Sequence, residues 1–219
     1  MNLPEIIAKI LDFLYYRTCY ICAKKCADIS LCEDCLDKIY SNMKFRKANK
    51  FGTTIFSAAP YENELLKIIR ALKYHKKKEF KKVLADLIIS IIENYNLDLK
   101  DFIVCPVPIH KNRFKRRKYN HMELVAQEVA KRFDLELDTS LLTRIKDTAP
   151  LYKLTVQERK EAINGAFEAS EEIKGKKILL LDDIVTSGTT VSELSSIILK
   201  NQPEELLVIC ASRSNNCNF

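Results

Sequence analysis

Runs of almost uninterrupted apolar residues alternate with helix-like segments along most of this chain. The runs are TTIFSAAPY at 53–61, DFIVCPVP at 101–108, LLTR at 141–144, KKILLLDDI at 176–184 and ELLVICASR at 205–213. Stretches with apolar residues three and four positions apart lie at 64–74, 80–95, 121–133 and 189–200, a spacing typical of amphipathic helices. Strands that are apolar on both faces need cover on both, and a parallel sheet flanked by helices supplies it. The pattern predicts an α/β domain over about residues 55–213.

The cysteines indicate a second, smaller module before this domain. Five of the eight lie in the string CYICAKKCADISLCEDC, which contains two C-x-x-C pairs with nine residues between them: Cys19, Cys22, Cys32 and Cys35. Four thiolates on two tight turns suit tetrahedral Zn²⁺. A disulfide framework would need a secreted chain, and a redox pair does not explain the second C-x-x-C. Cys26 is left out because three residues separate it from Cys22. We predict a structural zinc module within residues 1–45, folded largely by its metal.

The positive charge of the chain is concentrated in two short segments. The net charge is +7, yet KYHKKKEFKK at 73–82 contributes +5 and KNRFKRRK at 111–118 contributes +6, so the remainder is net acidic. Aromatic residues accompany both segments: Tyr74, Phe80, Phe114 and Tyr119. Cations release counterions from phosphates and rings stack on bases. The segments indicate a polyphosphate or nucleic-acid ligand; solvated lysine-rich loops are the alternative.

Polar residues follow the most apolar strand. Asp182 and Asp183 come directly after ILLL, and Thr186, Ser187, Gly188, Thr189 and Thr190 lead into the next helix. Hydroxyls, free backbone N–H groups at a helix start and a glycine form an anion site. The carboxylates are suited to accept hydrogen bonds from sugar hydroxyls or to orient a metal-bound water. The string predicts a site for a phosphorylated sugar, with a plain helix cap after an acidic turn as the alternative.

The string LLLDDIVTSGTT resembles the phosphoribosyl pyrophosphate (PRPP) signature of type I phosphoribosyltransferases. With the two C-x-x-C pairs, PVP at 106–108, RFKRRKYNH at 113–121 and QERKEAINGAF at 157–167, the chain resembles the ComF/ComFC competence-protein family. The likeness covers nearly everything after about residue 15. It implies a type I phosphoribosyltransferase-like domain over 53–219.

The resemblance also implies residue roles and partners. Asp182 and Asp183 would contact the ribose hydroxyls of PRPP, Thr186 to Thr190 its 5′-phosphate, and Mg²⁺ would accompany it. Expected contacts to pyrophosphate or nucleic acid are Lys73, Tyr74, Arg113, Lys115, Arg116, Arg117, Tyr119 and Asn120. Single-stranded DNA, and DNA-uptake or helicase proteins, would be the partners in natural transformation.

The chain departs from the family pattern at two positions. Lys118 stands where a glycine is usual before the aromatic-Asn pair, and Leu151 where a glutamine is usual. No residues for an acceptor base are identifiable. Two functions therefore remain open: a DNA-uptake factor that binds single-stranded DNA and PRPP, and an active phosphoribosyltransferase with an unknown acceptor. Intact Asp182, Asp183 and Gly188 count against a scaffold that has lost its ligand.

Two further expectations concern the histidines and the N-terminus. His75, His110 and His121 lie in or beside the basic segments, so we expect exposed, charged side chains and assign none as metal ligand or general base. The stretch LPEIIAKILDFLYY is broken by charged residues and lacks a cleavage site, which argues against a membrane span or signal peptide. We expect a cytoplasmic protein whose N-terminal helix docks on the protein, on a partner or at the inner face of the membrane.

Overall fold

The computed structural model of the protein describes residues 17–26, 30–148 and 155–215. The chain divides into two compact units, with the boundary between Asn42 and Met43. The expected N-terminal helix and Leu151 lie outside the described residues.

The first unit is built from short elements around the cysteines. They are strand β1 (Arg17–Thr18), strand β2 (Lys25–Cys26) and helix α1 (Glu33–Ser41). The two strands pair antiparallel, and the Cys19 N–H donates to the Lys24 carbonyl at 2.7 Å, which closes the turn between them. Helix α1 begins directly after Cys32, and the acidic Glu33 and Asp34 occupy its first turn, where the helix dipole favours negative charge.

The second unit contains the predicted α/β fold. Its strands are β3 (Arg46–Lys50), β4 (Thr53–Pro60), β5 (Phe102–Pro106), β6 (Glu136–Leu137), β7 (Leu142–Arg144), β8 (Phe167–Ala169), β9 (Lys177–Val185) and β10 (Glu205–Arg213). Its α-helices are α2 (Asn63–Tyr74), α3 (Lys81–Asn94), α4 (Lys111–Arg117), α5 (His121–Phe133), α6 (Val156–Ile163) and α7 (Thr189–Lys200). Within the described residues the sheet order is β3-β4-β10-β9-β5-β6, and β7 and β8 form a separate antiparallel pair. All neighbours in the larger sheet are parallel except β3 and β4.

The core lies on both faces of the central strands. Four successive residues of β9, Ile178 to Leu181, are fully buried, as are Val208, Ile209 and Cys210 of β10. Consecutive strand residues point to opposite faces, so unbroken burial means that helices cover both sides of the sheet. This confirms the predicted α/β class and the strands at 176–184 and 205–213.

Five of the strands and α-helices of the second unit were not predicted: β3, β6, β8, α4 and α6. Strand β3 has the sequence RKANK and is largely exposed, so it lacks the apolar alternation that marks a strand. It forms because Phe51 and Gly52, both with left-handed backbones (φ 56° and 73°), connect it to β4 by the two-residue turn that suits antiparallel hairpins. The basic segment at 111–118, interpreted as a loop, contains helix α4.

Candidate ligand site and four-cysteine cluster

The candidate ligand site lies where β9 ends and α7 begins. Gly188 has a left-handed backbone (φ 75°) and caps α7, a conformation for which glycine has no steric cost. Thr186, Ser187, Gly188, Thr189 and Thr190 line one small cavity together with Asp182 and Arg159. The hydroxyls of Ser187 and Thr189 are 2.8 Å apart. The structure thus brings the five loop residues and one predicted carboxylate together at a helix N-terminus, which favours anions.

The two adjacent carboxyl groups lie within β9 and are both buried, at 7% and 3% exposure. Asp183 Oδ2 pairs with the Lys73 ammonium and lies 2.8 Å from His121 Nε2. Burial alone would raise its pKa, but Lys73 and His121 hold the pKa of Asp183 well below its ordinary range. Burial and the charge of Asp183 raise the pKa of Asp182 to about 8. The pKa values of these two neighbouring carboxyl groups are therefore shifted in opposite directions.

The expectation of exposed, charged histidines is wrong for His110 and His121, which are 6% and 5% exposed. Burial lowers the pKa of His121 even though Asp183 opposes this. Only His75 is exposed as expected. A signal for His121 was present in the sequence, because the buried face of α5 repeats at 121, 122, 125, 126, 129 and 130 and places this histidine on the apolar side.

Helix α4 turns two of its cations toward the site. Arg117 Nη1 lies 3.2 Å from His121 Nδ1, and its guanidinium lies 5.2 Å from the centroid of the Tyr74 ring. Arg113 Nη2 donates to the Thr148 carbonyl at 2.9 Å. Both arginines are half-buried, whereas Lys115 and Arg116 are exposed. The helix has one face against the site and another toward solvent.

Tyr119 and Asn120, predicted to contact pyrophosphate or nucleic acid, are buried and make hydrogen bonds within the domain. Tyr119 is 5% exposed, and its hydroxyl donates to the Leu72 carbonyl at 2.6 Å. Asn120 is 1% exposed; its Oδ1 accepts from the Met122 N–H and caps α5. Phe80 is also buried, so Tyr74 and Phe114, at 53% and 46% exposure, are the aromatic residues of the basic segments that face solvent. The rings of Phe80 and Tyr119 lie below the surface in this structure.

The departure from the family pattern at Lys118 has a local explanation. Lys118 adopts the left-handed conformation (φ 68°) at the end of α4, and its N–H donates to the Phe114 carbonyl at 2.6 Å. Glycine is the residue most often found at such a helix end. The chain keeps the glycine-type backbone here with a lysine side chain.

Two arginines near the site were not assigned a role from the sequence, although Arg159 lies in the string QERKEAINGAF. Arg159 Nη1 lies 3.4 Å from the Thr186 hydroxyl and lines the anion cavity. Arg144 is 7% exposed and donates to the Thr148 hydroxyl at 2.6 Å. Burial and nearby Arg113 lower the pKa of Arg144 to about 10. The site is therefore more cationic than α4 alone would make it.

The first unit brings the four predicted cysteines together. The sulfur atoms of Cys19, Cys22, Cys32 and Cys35 all lie within 4.8 Å of one another, and this set does not include Cys26. Although burial raises it, backbone N–H groups of Cys22, Cys32 and Ile21 lower the pKa of Cys19 to about 6. Thiolates are the form that binds metal. The cluster can hold a metal ion such as zinc, whose bonds to sulfur of about 2.3 Å place the four sulfurs about 3.8 Å apart.

Comparison with known proteins shows which domain and which full-length proteins this chain resembles. The phosphoribosyl transferase domain family matches residues 123–217, which include most of α5, β9, the Thr186–Thr190 loop and α7. The chain therefore contains a phosphoribosyltransferase domain. Over 209 residues it is 26% identical to the DNA utilization protein YhgH of Escherichia coli (strain K12), with 91% of this chain and 92% of that protein covered. It is 26% identical over 155 residues to competence protein F of Haemophilus influenzae, covering 68% and 67%. The chain is thus similar, over most of its length, to proteins named for DNA utilization and competence.

Phosphoribosyltransferase structures are also similar. An allosteric regulatory enzyme of purine biosynthesis is 14% identical, with a TM-score of 0.42, 61% of this chain covered and about a quarter (26%) of that enzyme's length spanned. A hypoxanthine-guanine phosphoribosyltransferase from Bacillus anthracis is 13% identical, with a TM-score of 0.37; the likeness covers 59% of this chain and 66% of that one.

In the part of the chain that the structure describes, no helix is both long and apolar enough to cross a membrane.

Proposed function

We propose that this protein binds a phosphoribosyl pyrophosphate ligand at the end of β9 and single-stranded DNA on the basic surface of α4, and that it acts in DNA utilization. The observation that carries the proposal is the anion cradle of the Thr186–Thr190 loop beside two buried carboxyl groups, Asp182 in the cavity lining and Asp183 paired with Lys73 and His121. The cradle suits a phosphate, and ionised Asp183 suits sugar hydroxyls, which donate hydrogen bonds to it. A phosphorylated sugar has both groups.

The exposed side of α4 supports DNA as the second ligand. Lys115, Arg116 and Phe114 are exposed there, and exposed Tyr74 lies under the Arg117 guanidinium. Exposed cations bind phosphates without sequence preference, and exposed rings stack on bases. The relatives named for DNA utilization and competence favour DNA over another polyanion.

Two metal ions belong to the proposal. Zinc would be held by Cys19, Cys22, Cys32 and Cys35 and would stabilise the first unit. Among the described residues these cysteines are the only group of three or more possible ligands. Mg²⁺ would therefore arrive on the pyrophosphate of the ligand, whose charge it would partly neutralise.

The test measures both ligands with matched variants. Fluorescence anisotropy of a labelled oligothymidylate gives DNA affinity, and titration calorimetry with PRPP and Mg²⁺ gives ligand affinity. Lys115→Ala with Arg116→Ala should weaken DNA binding several-fold and reduce its salt slope by about 2, one for each lost phosphate contact. Arg132→Ala with Lys200→Ala is the charge-matched control, because these residues lie at the far ends of α5 and α7, about 16 Å along each helix from its start near the site.

Two results would contradict the proposal. Equal loss of DNA affinity in the control would mean that α4 is not the DNA surface. Asp183→Asn should weaken PRPP binding at least tenfold, and an unchanged PRPP affinity would remove the ligand assignment. Release of pyrophosphate in the same samples, with candidate bases or amines present, would favour the alternative function of an active transferase.

A further inference from the structure

A continuous set of polar contacts joins the basic surface to the ionised carboxylate. Arg117 lies over the exposed Tyr74 ring and 3.2 Å from His121 Nδ1. The opposite ring nitrogen, Nε2, lies 2.8 Å from Asp183 Oδ2. Lys73, the neighbour of Tyr74 at the end of α2, pairs with the same Asp183 oxygen. The surface residue and the ligand-site residue are thus connected through one buried imidazole.

The contacts fix the protonation of that imidazole. A guanidinium can only donate hydrogen bonds, so His121 Nδ1 accepts from Arg117. The single proton of a neutral ring must then lie on Nε2, from which it is donated to Asp183. Burial lowers the pKa of His121, in keeping with a neutral ring. Arg117 therefore holds His121 in the tautomer and orientation that binds Asp183.

A phosphate can replace His121 as the hydrogen-bond partner of Arg117 at a low cost in free energy. In the described part of the chain, no carboxylate lies within ion-pair distance of the Arg117 guanidinium. Its neighbour Tyr74 is 53% exposed, so a polyanion can reach this position. Charge-assisted bonds to phosphate are stronger than a bond to a neutral ring nitrogen.

We propose that Arg117 and His121 are positioning residues for Asp183, and that DNA bound at Arg117 weakens binding of the phosphoribosyl ligand. Engaged by a phosphate, Arg117 no longer fixes His121, and its positive charge no longer favours a second anion nearby. By linkage the effect is reciprocal, so the phosphoribosyl ligand weakens DNA binding by the same factor. This inference rests on the proposed function, since it requires that both ligands bind.

The experiment measures PRPP affinity by titration calorimetry with and without saturating oligothymidylate of about 20 nucleotides, longer than one single-strand site of about 4–16 nucleotides. In the unaltered protein the oligonucleotide should raise the PRPP dissociation constant about fivefold or more, the lower end of typical couplings between sites. Arg117→Ala should bring this ratio to near one. Arg116→Ala, the matched control one position away, should weaken DNA binding but keep the ratio, because Arg116 makes its side-chain contact with the Asn112 carbonyl instead.

A second variant separates positioning from general repulsion between two anions. His121→Gln can still donate to Asp183 but has no ring whose tautomer Arg117 selects, so PRPP should bind while the ratio falls toward one. A ratio that survives in both Arg117→Ala and His121→Gln overturns the inference. So does a ratio of one in the unaltered protein when each ligand alone binds. Failure of either ligand to bind alone overturns the proposed function itself and the inference with it.

Discussion

Replacing Lys73 with methionine should destabilise the second unit by an amount that depends on pH. The Lys73 ammonium pairs with Asp183, whose side chain is 4% exposed, while that of Lys73 is 20% exposed. Removing one partner of a buried ion pair costs about 3–5 kcal/mol because the other charge is left uncompensated. Partial exposure of Lys73 and the remaining bond from His121 reduce this, so we expect a loss of about 2–3 kcal/mol at pH 8.

The loss should shrink as the pH falls. Burial is the largest effect on the pKa of His121 and lowers it, Lys73 and Arg117 lower it further, and Asp183 opposes them. A histidine whose folded-state pKa lies below the unfolded value, about 6.5, destabilises the folded state as pH falls through that value. In Lys73→Met the contribution of Lys73 is gone and the pKa of His121 is less depressed. Lowering the pH from 8 to 5.5 therefore costs the variant less stability than it costs the unaltered protein, so the loss caused by the substitution should be smaller at pH 5.5 than at pH 8.

Urea unfolding followed by circular dichroism at pH 5.5, 6.5 and 8 measures this. Lys81→Met is the control, since Lys81 pairs with Glu128 at 2.8 Å with both side chains about 30% exposed. It should cost about 0.5–1 kcal/mol, with no change between pH 6.5 and 8, where lysine and glutamate keep their charges. A loss in Lys73→Met that is equal at pH 5.5 and 8, or that matches the control, would refute the reasoning.

Other predictions concern Asp182, the cysteine cluster and Tyr119. Because the pKa of Asp182 is raised to about 8, its deprotonation adds negative charge beside an anionic ligand, so PRPP affinity should fall as pH rises from 7 to 9. Calorimetry on Asp182→Asn should show no such fall. If the fall in affinity is unchanged in this variant, the assignment of Asp182 is contradicted. Cys35→Ser should lower bound zinc, measured by elemental analysis, from about one equivalent to below about half, and full retention would exclude Cys35 as a ligand. Tyr119→Phe should lower the free energy of unfolding by about 1 kcal/mol through the lost hydrogen bond to Leu72 without changing DNA affinity. Weakened DNA binding in this variant would mean that Tyr119 does contact DNA.

Apolar patterning predicted the elements whose stability comes from burial. Helices α5 and α7 and strand β10 lie at the predicted residues, because each has a long apolar face that the sheet must cover. Strand β3 and helix α4 have no such face. Their formation depends on a turn and on neighbouring segments. The apolar periodicity of a single segment contains no information about either.

The sequence predicted the parts of the candidate site that consist of consecutive residues, but not the parts that the fold brings together from distant segments. The Thr186–Thr190 loop depends on consecutive residues at a helix start, so the sequence contains it whole. The contacts of Asp183 come from α2 and α5, with His121 and Asp183 separated by 62 positions. Arg159 and Arg144 likewise reach the site only through the fold. The burial of Tyr119 also depends on the fold, because its hydroxyl donates to the Leu72 carbonyl, 47 positions away.

The composition of β3 also bears on how this protein avoids aggregation. In the sheet formed by the described residues it is an edge strand, and edge strands are where another chain can pair with a sheet. Arg46, Lys47 and Lys50 are exposed along it, so two copies that tried to pair edge to edge would bring rows of like charge together. The other edge, β6, is only two residues long. The charges of Arg46, Lys47 and Lys50 thus disfavour edge-to-edge pairing of two copies of the sheet.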